Sequence, residues 1–266
     1  MTQIAVIGAG MMGEALLAGL LHAGHAADSV LVGEKRAERA AELTERYGVR
    51  VVANQEAAAA DTVLLVVKPQ DVPAVLGELA PTLRAGQLLI SLAAGITTAN
   101  IEALVPPGVA VVRVMPNTPA LVGQGMSALS RGIDCTDEQL EEATSLLSAA
   151  GRAVVVPEKH QDAVTAVSGS GPAYVFLVAE AMIEAGVHLG LPRGTARELT
   201  VQTLLGAATM MSETGEHPSV LRENVTSPAG TTAAALRKLE DHGLRAAFLA
   251  ALEAAHDRSV ELGEGS

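Results

Sequence analysis

Short apolar runs recur through the first 156 residues and are separated by longer segments of helical periodicity. Runs of four to seven apolar, often β-branched residues are typical of strands buried on both faces of a parallel sheet. They predict strands at 4–7, 29–33, 49–52, 62–67, 87–91, 109–115, 127–130 and 153–156. Their alternation with helices predicts a doubly wound, mostly parallel α/β sheet.

The pattern changes near Pro157, beyond which no convincing strand appears. Ala- and Leu-rich periodicity predicts helices at 161–166, 172–190, 193–214, 218–224, 231–242 and 244–262. The segment from Ser168 to Pro172 interrupts this periodicity and is expected to be a flexible joint. We therefore predict two domains, residues 1–158 and an all-helical domain over 159–266. Because several helices are apolar around much of their circumference, we expect at least a homodimer, with burial against the first domain as the alternative.

A glycine motif follows the first strand and opens the first helix. Gly8 permits the tight turn, Gly10 lets a pyrophosphate approach the backbone, and Gly13 allows the helix to pack closely on the strand. The free N–H groups at the start of the helix then face the phosphates. In this strand–turn–helix context the motif predicts a dinucleotide-binding domain of the Rossmann type.

Three charged residues follow the second strand. Glu34 lies about 20 residues beyond Gly13, where an acidic side chain binds the ribose hydroxyls of NAD. Lys35 and Arg36 would instead attract the 2′-phosphate of NADP, or simply begin the solvated helix at 37–47. The charges leave the choice of cofactor open.

Loops at other strand ends are expected to border the same cleft, because ligands bind beyond the carboxyl ends of strands in open α/β sheets. They contain Asn54, Val67 with Lys68, the small residues Ala93 and Ala94, and Asn117.

A second candidate site lies in the helical domain. Ser227, Gly230, Thr231 and Thr232 surround the start of the helix at 231–242. A helix start with free N–H groups binds anions such as a substrate carboxylate. An ordinary Ser/Thr N-cap without a ligand is the alternative.

Composition excludes several classes of function. The net charge is −12 with only 18 Lys and Arg residues, and aromatic residues make up 2%, so nucleic acid is an unexpected partner. Cys135 is the one cysteine, which excludes an intrachain disulfide and a Cys-based zinc site, and the seven histidines have no metal-binding spacing. The first strand leaves no room for a signal peptide, and charged residues interrupt the longest apolar stretch at 173–191. We expect a cytoplasmic protein without a membrane span or a metal.

Together these segments resemble the pyrroline-5-carboxylate reductase family over nearly the whole chain. The resemblance is carried by Gly8-Ala9-Gly10, Val66-Val67-Lys68-Pro69, Ala93-Ala94-Gly95, Asn117-Thr118-Pro119, Ser168-Gly169-Ser170-Gly171-Pro172-Ala173-Tyr174, Gly190-Leu191-Pro192 and residues 224–239, of which the last is the most specific. The sequence departs from many relatives at Glu34, where they carry a small hydroxyl residue.

The resemblance implies the last step of proline biosynthesis, in which L-1-pyrroline-5-carboxylate is reduced to L-proline. It implies NADPH as cofactor, with NADH as an alternative, and a dimer through the helical domain, often assembled into a ring of dimers. Carried over by position, the substrate residues are Glu158, Ser227, Gly230, Thr231 and Thr232, with the Thr232 hydroxyl near the imine nitrogen as the catalytic group. The cofactor residues are Met11, Met12, Lys35, Asn54, Val67, Lys68, Ala93, Ala94 and Asn224. They are joined by Gly8, Ala9, Gly10 and Gly13 from the glycine motif and by Glu34, Arg36 and Asn117 from the loops at the strand ends.

Three other functions compete with this one. A dehydrogenase of the 6-phosphogluconate or hydroxyisobutyrate type would need a Lys general base, and the helical domain offers only Lys159 and Lys238. A redox-sensing regulator would need a partner surface or a DNA-reading element. An imine reductase for another cyclic imine would not need a carboxylate-binding turn.

Overall fold

The computed structural model describes residues 2–264 and divides into two compact units. The first contains the chain up to Ser170 together with the segment from Ala255 onward. The second is the continuous segment Gly171–Ala254.

The first unit is built on one sheet of eight strands, and all eight predicted strands are confirmed. They are β1 Ile4–Ile7, β2 Val30–Gly33, β3 Arg50–Val52, β4 Thr62–Leu65, β5 Leu88–Ser91, β6 Ala110–Met115, β7 Gly125–Arg131 and β8 Gly151–Val155. Their order is β3-β2-β1-β4-β5-β6-β7-β8. All neighbours are parallel except β6 and β7, which run antiparallel. The doubly wound, mostly parallel fold is therefore confirmed.

Helices connect most successive strands of the first unit, and one further helix follows β8. They are α1 Met11–His22, α2 Ala37–Tyr47, α3 Asn54–Ala57, α4 Val72–Leu79, α5 Thr98–Glu102, α6 Asp137–Ser148 and α7 Gln161–Val164. Successive strand residues point to opposite faces of a sheet, and both faces are buried here. Val6 and Leu64 belong to the core on one face, and Ile7 and Leu65 to the core on the other.

The second unit is helical, as predicted. Its elements are α8 Gly171–His188, α9 Arg193–Thr214, α10 Pro218–Asn224, α11 Thr231–Asp241 and α12 Leu244–Glu264, of which α12 ends in the first unit. The bounds of α9 and α10 match the sequence prediction. The predicted domain boundary at 158/159 stays a prediction, although the compact units separate between Ser170 and Gly171.

The predicted flexible joint from Ser168 to Pro172 is wrong. Residues Thr165–Gly169 form a π-helical turn, in which the N–H of Ser170 donates to the carbonyl of Thr165 over 2.8 Å, and α8 follows directly. A Cβ on Gly169 would lie 2.4 Å from the Cε atom at the end of the Met115 side chain, so this turn packs closely against Met115. Small residues at this place therefore allow close packing rather than mobility.

Two other boundaries differ from the prediction. Strand β4 ends at Leu65, so Val66 and Val67 already belong to the loop. Asn54, expected in a turn, begins the short helix α3 and is buried.

Among residues 2–264, one helical run, Glu158–His188, is long and apolar enough to cross a membrane by length and composition, and only 6% of its apolar window is buried within this chain. This finding concerns length and composition alone. The prediction of no membrane span stays a prediction.

Candidate functional site

Four loops meet at the carboxyl edge of the sheet, on either side of the boundary between β1 and β4. The strand order reverses there, since the chain proceeds from β1 toward β3 on one side and from β4 toward β8 on the other. Such a switch point opens the crevice in which α/β sheets bind their ligands. The loops after β1, β2, β4 and β5 carry most of the predicted cofactor residues.

The three glycines of the loop after β1 have separate steric roles. Gly8 has a φ of 92°, and a Cβ there would lie 2.4 Å from the carbonyl oxygen of Val66. A Cβ on Gly13 would lie 2.2 Å from the carbonyl oxygen of Gly8, which fixes the close approach of α1 to the loop. Gly10 is the N-cap of α1, and a Cβ on it would meet nothing within 4 Å. The open space at Gly10 and the uncapped helix start fit a dinucleotide pyrophosphate.

The rest of this loop lies where the sequence predicted. Ala9 is buried, Met11 is exposed at the first turn of α1, and Met12 packs against the core. The six residues from Gly8 to Gly13 are therefore brought together around one helix start. Their contact with a cofactor stays a prediction.

An ion-pair cluster that the sequence did not reveal holds this loop. Nε of Arg39 donates to the carbonyl of Ala9 over 3.1 Å, and its guanidinium pairs with the carboxylate of Glu14. Glu14 also accepts from the hydroxyl of Tyr47 and from Arg46. The hydrogen bond from Arg39 is the main cause that holds the pKa of Glu14 below its usual value. Arg39 lies on α2, 25 positions from Glu14, and no sequence pattern relates residues at that separation. Only the structure shows this contact.

The charged residues after β2 line two adjoining cavities of about 760 and 370 Å³. Glu34, Lys35 and Asn54 border both. Asn54 is buried, and a Cβ on Gly33 would lie 2.6 Å from its Oδ1 atom. Arg36 is exposed beside them and is held by Glu34.

The loops after β4 and β5 present small or apolar groups. Val67 lines the smaller cavity, and Lys68 is exposed. Ala93 is buried, with its N–H 3.4 Å from the hydroxyl of Ser91, whereas Ala94 is exposed. These four residues lie at the same sheet edge as the glycine loop because β4 and β5 run parallel to β1.

Asn117 is engaged by its own chain. Its Nδ2 atom donates to the carbonyl of Ser168 over 3.2 Å, and its Oδ1 atom accepts from the N–H of Met126 over 2.8 Å. The side chain thereby links the loop after β6 to β7 and to the π-helical turn. Its predicted contact with the cofactor stays a prediction.

Glu158 is likewise held within the first unit. One carboxylate oxygen accepts from the N–H of Thr98 over 2.8 Å and from the guanidinium of Arg113 over 3.2 Å, and the other accepts from the hydroxyl of Thr98 over 2.6 Å. Thr98 and Arg113 are both buried. Glu158 therefore joins the start of α5 to the middle of β6, and its predicted contact with substrate stays a prediction.

The second unit carries the other candidate site at the start of α11. Gly230 is the N-cap, and no side chain of residues 2–264 caps this helix. Ser227 closes the turn by accepting from the N–H of Gly230 over 3.0 Å. Thr231 and Thr232 form the first turn, with Thr232 half-buried, and Asn224 ends α10 six residues before the N-cap. The free N–H groups and the hydroxyls can donate hydrogen bonds to one carboxylate.

Ala229 gives this turn a strained backbone. It has a φ of 59° and is the one non-glycine residue with positive φ among residues 2–264. The left-handed conformation costs an alanine about 1 kcal/mol. The turn before α11 is thus held in a shape that its sequence alone would not favour.

Metal chemistry has no visible support in the described chain. Residues 2–264 contain no group of three or more His, Cys, Asp or Glu side chains placed to hold a metal ion. The expectation of a metal-free site stays a prediction.

Two family models match the chain. Residues 158–262 match the pyrroline-5-carboxylate reductase dimerisation family, and residues 3–95 match the family described as NADP oxidoreductase, coenzyme F420-dependent. A pyrroline-5-carboxylate reductase of Corynebacterium melassecola is 52% identical, and the match covers 99% of this chain and 100% of that protein.

Solved structures of similar proteins cover the chain equally well. A pyrroline-5-carboxylate reductase from Coxiella burnetii is 39% identical with a TM-score of 0.95, and 98% of each chain is covered. The Plasmodium falciparum pyrroline carboxylate reductase, solved with NADP bound, is 30% identical with a TM-score of 0.87, again over 98% of each chain. Similarity therefore extends through both compact units.

Proposed function

Because this chain belongs to the pyrroline-5-carboxylate reductase family, we propose that it reduces L-1-pyrroline-5-carboxylate to L-proline with NAD(P)H, the last step of proline biosynthesis. The observation that carries the proposal is the full-length similarity, which includes both the glycine loop and the turn before α11. The product gains one hydride at the carbon of the C=N bond and one proton at the nitrogen.

The first unit would hold the dinucleotide. The nicotinamide, when bound, supplies the hydride for the imine carbon. Residues Gly8 to Gly13 would bind the pyrophosphate, with Glu34, Lys35, Arg36 and Asn54 toward the adenosine end. Val67, Lys68, Ala93 and Ala94 would border the rest of the cofactor, since small side chains allow a flat ring to approach the backbone. Asn117 and Asn224 complete the proposed set of cofactor residues.

The turn before α11 would hold the substrate. Ser227, Gly230 and Thr231 would bind the carboxylate through hydroxyls and backbone N–H groups, and this anchors the ring. The hydroxyl of Thr232 would lie near the imine nitrogen and orient it. No strong base is needed because a cyclic iminium is already electrophilic at carbon.

The competing dehydrogenase function has little support from the available lysines. Lys238 pairs with Asp241 over 3.3 Å and is exposed, and Lys159 lies exposed in the turn before α7. Both side chains are therefore exposed to solvent rather than enclosed in a site where a general base would meet a substrate hydroxyl.

We further propose that the chain forms a homodimer through the helical domain at 159–266, and that dimers assemble into a ring. Many large apolar side chains of α8 and α9 are exposed in the single chain, among them Phe176, Leu177 and Leu205. A second copy would cover this surface, which also supports a cytoplasmic enzyme without a membrane span. The acidic composition supports the absence of a nucleic-acid partner.

The decisive test is an assay of nicotinamide absorbance with pyrroline-5-carboxylate, run in parallel with NADPH and NADH, with proline identified by mass spectrometry. Uncharged 1-pyrroline tests the imine-reductase alternative, and 3-hydroxyisobutyrate with the oxidised cofactor tests the dehydrogenase alternative. We expect turnover with pyrroline-5-carboxylate and little with the other two. Folded protein that binds dinucleotide but reduces only uncharged imines would contradict the proposal.

A further inference from the structure

The cations expected to attract a 2′-phosphate are already paired with carboxylates. Nζ of Lys35 donates to Oε2 of Glu78, on α4, over 2.9 Å. Glu78 is the more buried partner, with 30% of its side chain exposed against 69% for Lys35. Both residues line the larger cavity at the adenosine end of the proposed cofactor site.

Arg36 is paired in the same way. Glu34 accepts from the backbone N–H of Arg36 over 2.9 Å and from its Nε and NH2 atoms, each over 3.0 Å. The side chain of Glu34 is only 7% exposed, so the carboxylate is fixed in place rather than swinging in solvent. The hydrogen bond from Arg36 keeps the pKa of Glu34 below its usual value, and the group is an anion at neutral pH.

Further acids surround this end of the site. Glu45 lines the larger cavity and Asp71 the smaller one, in addition to Glu34 and Glu78. Lys35 is the one cation among the residues that line either cavity in the described chain. A 2′-phosphate carries up to two negative charges and would have to compete for Lys35 beside the three carboxylates that line the larger cavity.

A ribose hydroxyl meets a different environment. A carboxylate offers about four lone-pair positions, and Arg36 occupies three of those on Glu34. The backbone N–H of Ala9 also stabilises the charge on Glu34, and Oε2 takes a single side-chain hydrogen bond, from Arg36. A ribose hydroxyl would donate to Oε2 in addition to that bond. An acid at this distance from the glycine motif is the group that binds the ribose of NAD.

We propose that Glu34 and Glu78 together select NADH over NADPH, Glu34 by accepting from the ribose and Glu78 by withholding Lys35 from a 2′-phosphate. The inference rests on the proposed cofactor site, and it adds a specificity-determining residue on α4 to the charged residues after β2. One charge-assisted contact corresponds to about a tenfold difference in affinity, so NADH is expected to bind at least about tenfold more tightly.

The test measures binding without turnover. Dissociation constants for NADH and NADPH are obtained from nicotinamide fluorescence with the full chain and no substrate. Adenosine 5′-monophosphate and adenosine 2′,5′-bisphosphate, compared by calorimetry, isolate the effect of the 2′-phosphate. We expect Glu78→Gln to shift the NADH-to-NADPH ratio toward NADPH by about tenfold, with little change for NADH.

Asp137→Asn is the matched control. It also removes one negative charge and breaks an ion pair, with Arg131, but it begins α6 and lines neither cavity. If Glu78→Gln moves the ratio no more than this control, or if the wild-type chain binds NADPH more tightly than NADH, the inference is wrong.

Glu78→Ala keeps the inference testable if Glu78→Gln fails to fold. It also releases Lys35, so it should strengthen NADPH binding relative to NADH by about tenfold, and adding Lys35→Ala to the same chain should remove that gain. No gain in Glu78→Ala, or a gain that persists without Lys35, would overturn the inference. Tight NADH binding without reduction of pyrroline-5-carboxylate would instead contradict the proposed function alone.

Discussion

Glu158→Ala removes a carboxylate that connects three elements of the first unit. The variant loses both hydrogen bonds from Thr98, at 2.8 and 2.6 Å, and the ion pair with Arg113 at 3.2 Å. Arg113 keeps its charge at 7% side-chain exposure, and the start of α5 loses an acceptor for its first N–H group. The sequence instead predicts Glu158 as a substrate ligand, so the same variant distinguishes the two roles.

The expected loss of stability follows from these contacts. Removing one partner of a buried ion pair costs about 3–5 kcal/mol, and a hydrogen bond to a charged group contributes about 1.5–3 kcal/mol. These values overlap, and the side chain of Glu158 is 29% exposed, which lets water replace part of the loss. We therefore expect a decrease of about 3 kcal/mol in the free energy of unfolding, or a fall of about 6–12 °C in Tm.

The assay compares thermal unfolding with steady-state kinetics for four chains: the wild type, Glu158→Ala, Arg113→Met and the double variant. Methionine in place of Arg113 fills similar space without a charge, so the double variant leaves neither partner of the ion pair behind. The double variant should lose less stability than the sum of the single ones, because Glu158→Ala no longer strands a cation. Glu158→Gln should lie between the wild type and Glu158→Ala, since the amide oxygen can still accept from Thr98.

The substrate-ligand role predicts the opposite pattern. An unchanged Tm in Glu158→Ala, together with a KM for pyrroline-5-carboxylate raised tenfold or more, would refute the anchoring argument. Additive losses in the double variant would also refute it, because they would show that Glu158 and Arg113 do not interact.

Three further predictions concern other parts of the chain. Thr232→Ala should lower turnover by about tenfold or more, the scale of one hydrogen bond to a charged group, whereas Thr232→Ser should retain most of it, as measured by steady-state kinetics. Gly10→Ala should keep the wild-type Tm, because its Cβ would contact no protein atom, but it should weaken dinucleotide binding by about tenfold because that space is where the pyrophosphate would bind. Gly8→Ala should instead lower Tm, because its Cβ would clash with the carbonyl of Val66 and its φ is positive. The hydrogen bond from Arg39 is the main cause that lowers the pKa of Glu14 in the folded chain. The ionised carboxylate therefore stabilises the fold above the unfolded pKa of about 4.3, and this contribution is lost as the pH falls through the folded pKa. Tm measured from pH 7 to pH 3 should fall less in Glu14→Gln than in the wild type.

The order of apolar, polar and glycine residues was enough to predict the elements that depend on contacts between residues close in sequence. The apolar runs, the glycine spacing after β1 and the helices α9 and α10 depend on neighbours within a few residues, and the structure has them where the sequence placed them. The doubly wound, mostly parallel sheet followed from the alternation of strands and helices, whereas the order of its strands was not predicted. The antiparallel pairing of β7 with β6 did not follow from that alternation, because no short-range signal records the direction of the connection between them.

Contacts between distant residues were not predictable. Glu14 meets Arg39 across 25 positions, and Glu158 meets Thr98 across 60. The sequence shows that these side chains are charged, but it does not show which residue each one contacts. It could therefore predict only that they face solvent or bind a ligand. The π-helical turn was missed for a related reason: small residues are compatible with both flexibility and close packing, and the contact of Gly169 with Met115 joins residues far apart in the sequence.

The role of Glu158 bears on how the cofactor site is held. The loop that follows β5 contains Ala93 and Ala94 and ends at Thr98, whose N–H and hydroxyl both donate to Glu158. The end of this loop is therefore fixed by a residue that lies 60 positions further along the chain. Glu78 acts at the adenosine end in a comparable way, since it holds Lys35 from a different element. Both carboxylates would influence dinucleotide binding through the residues they hold, so substitutions there should change affinity even without a direct contact.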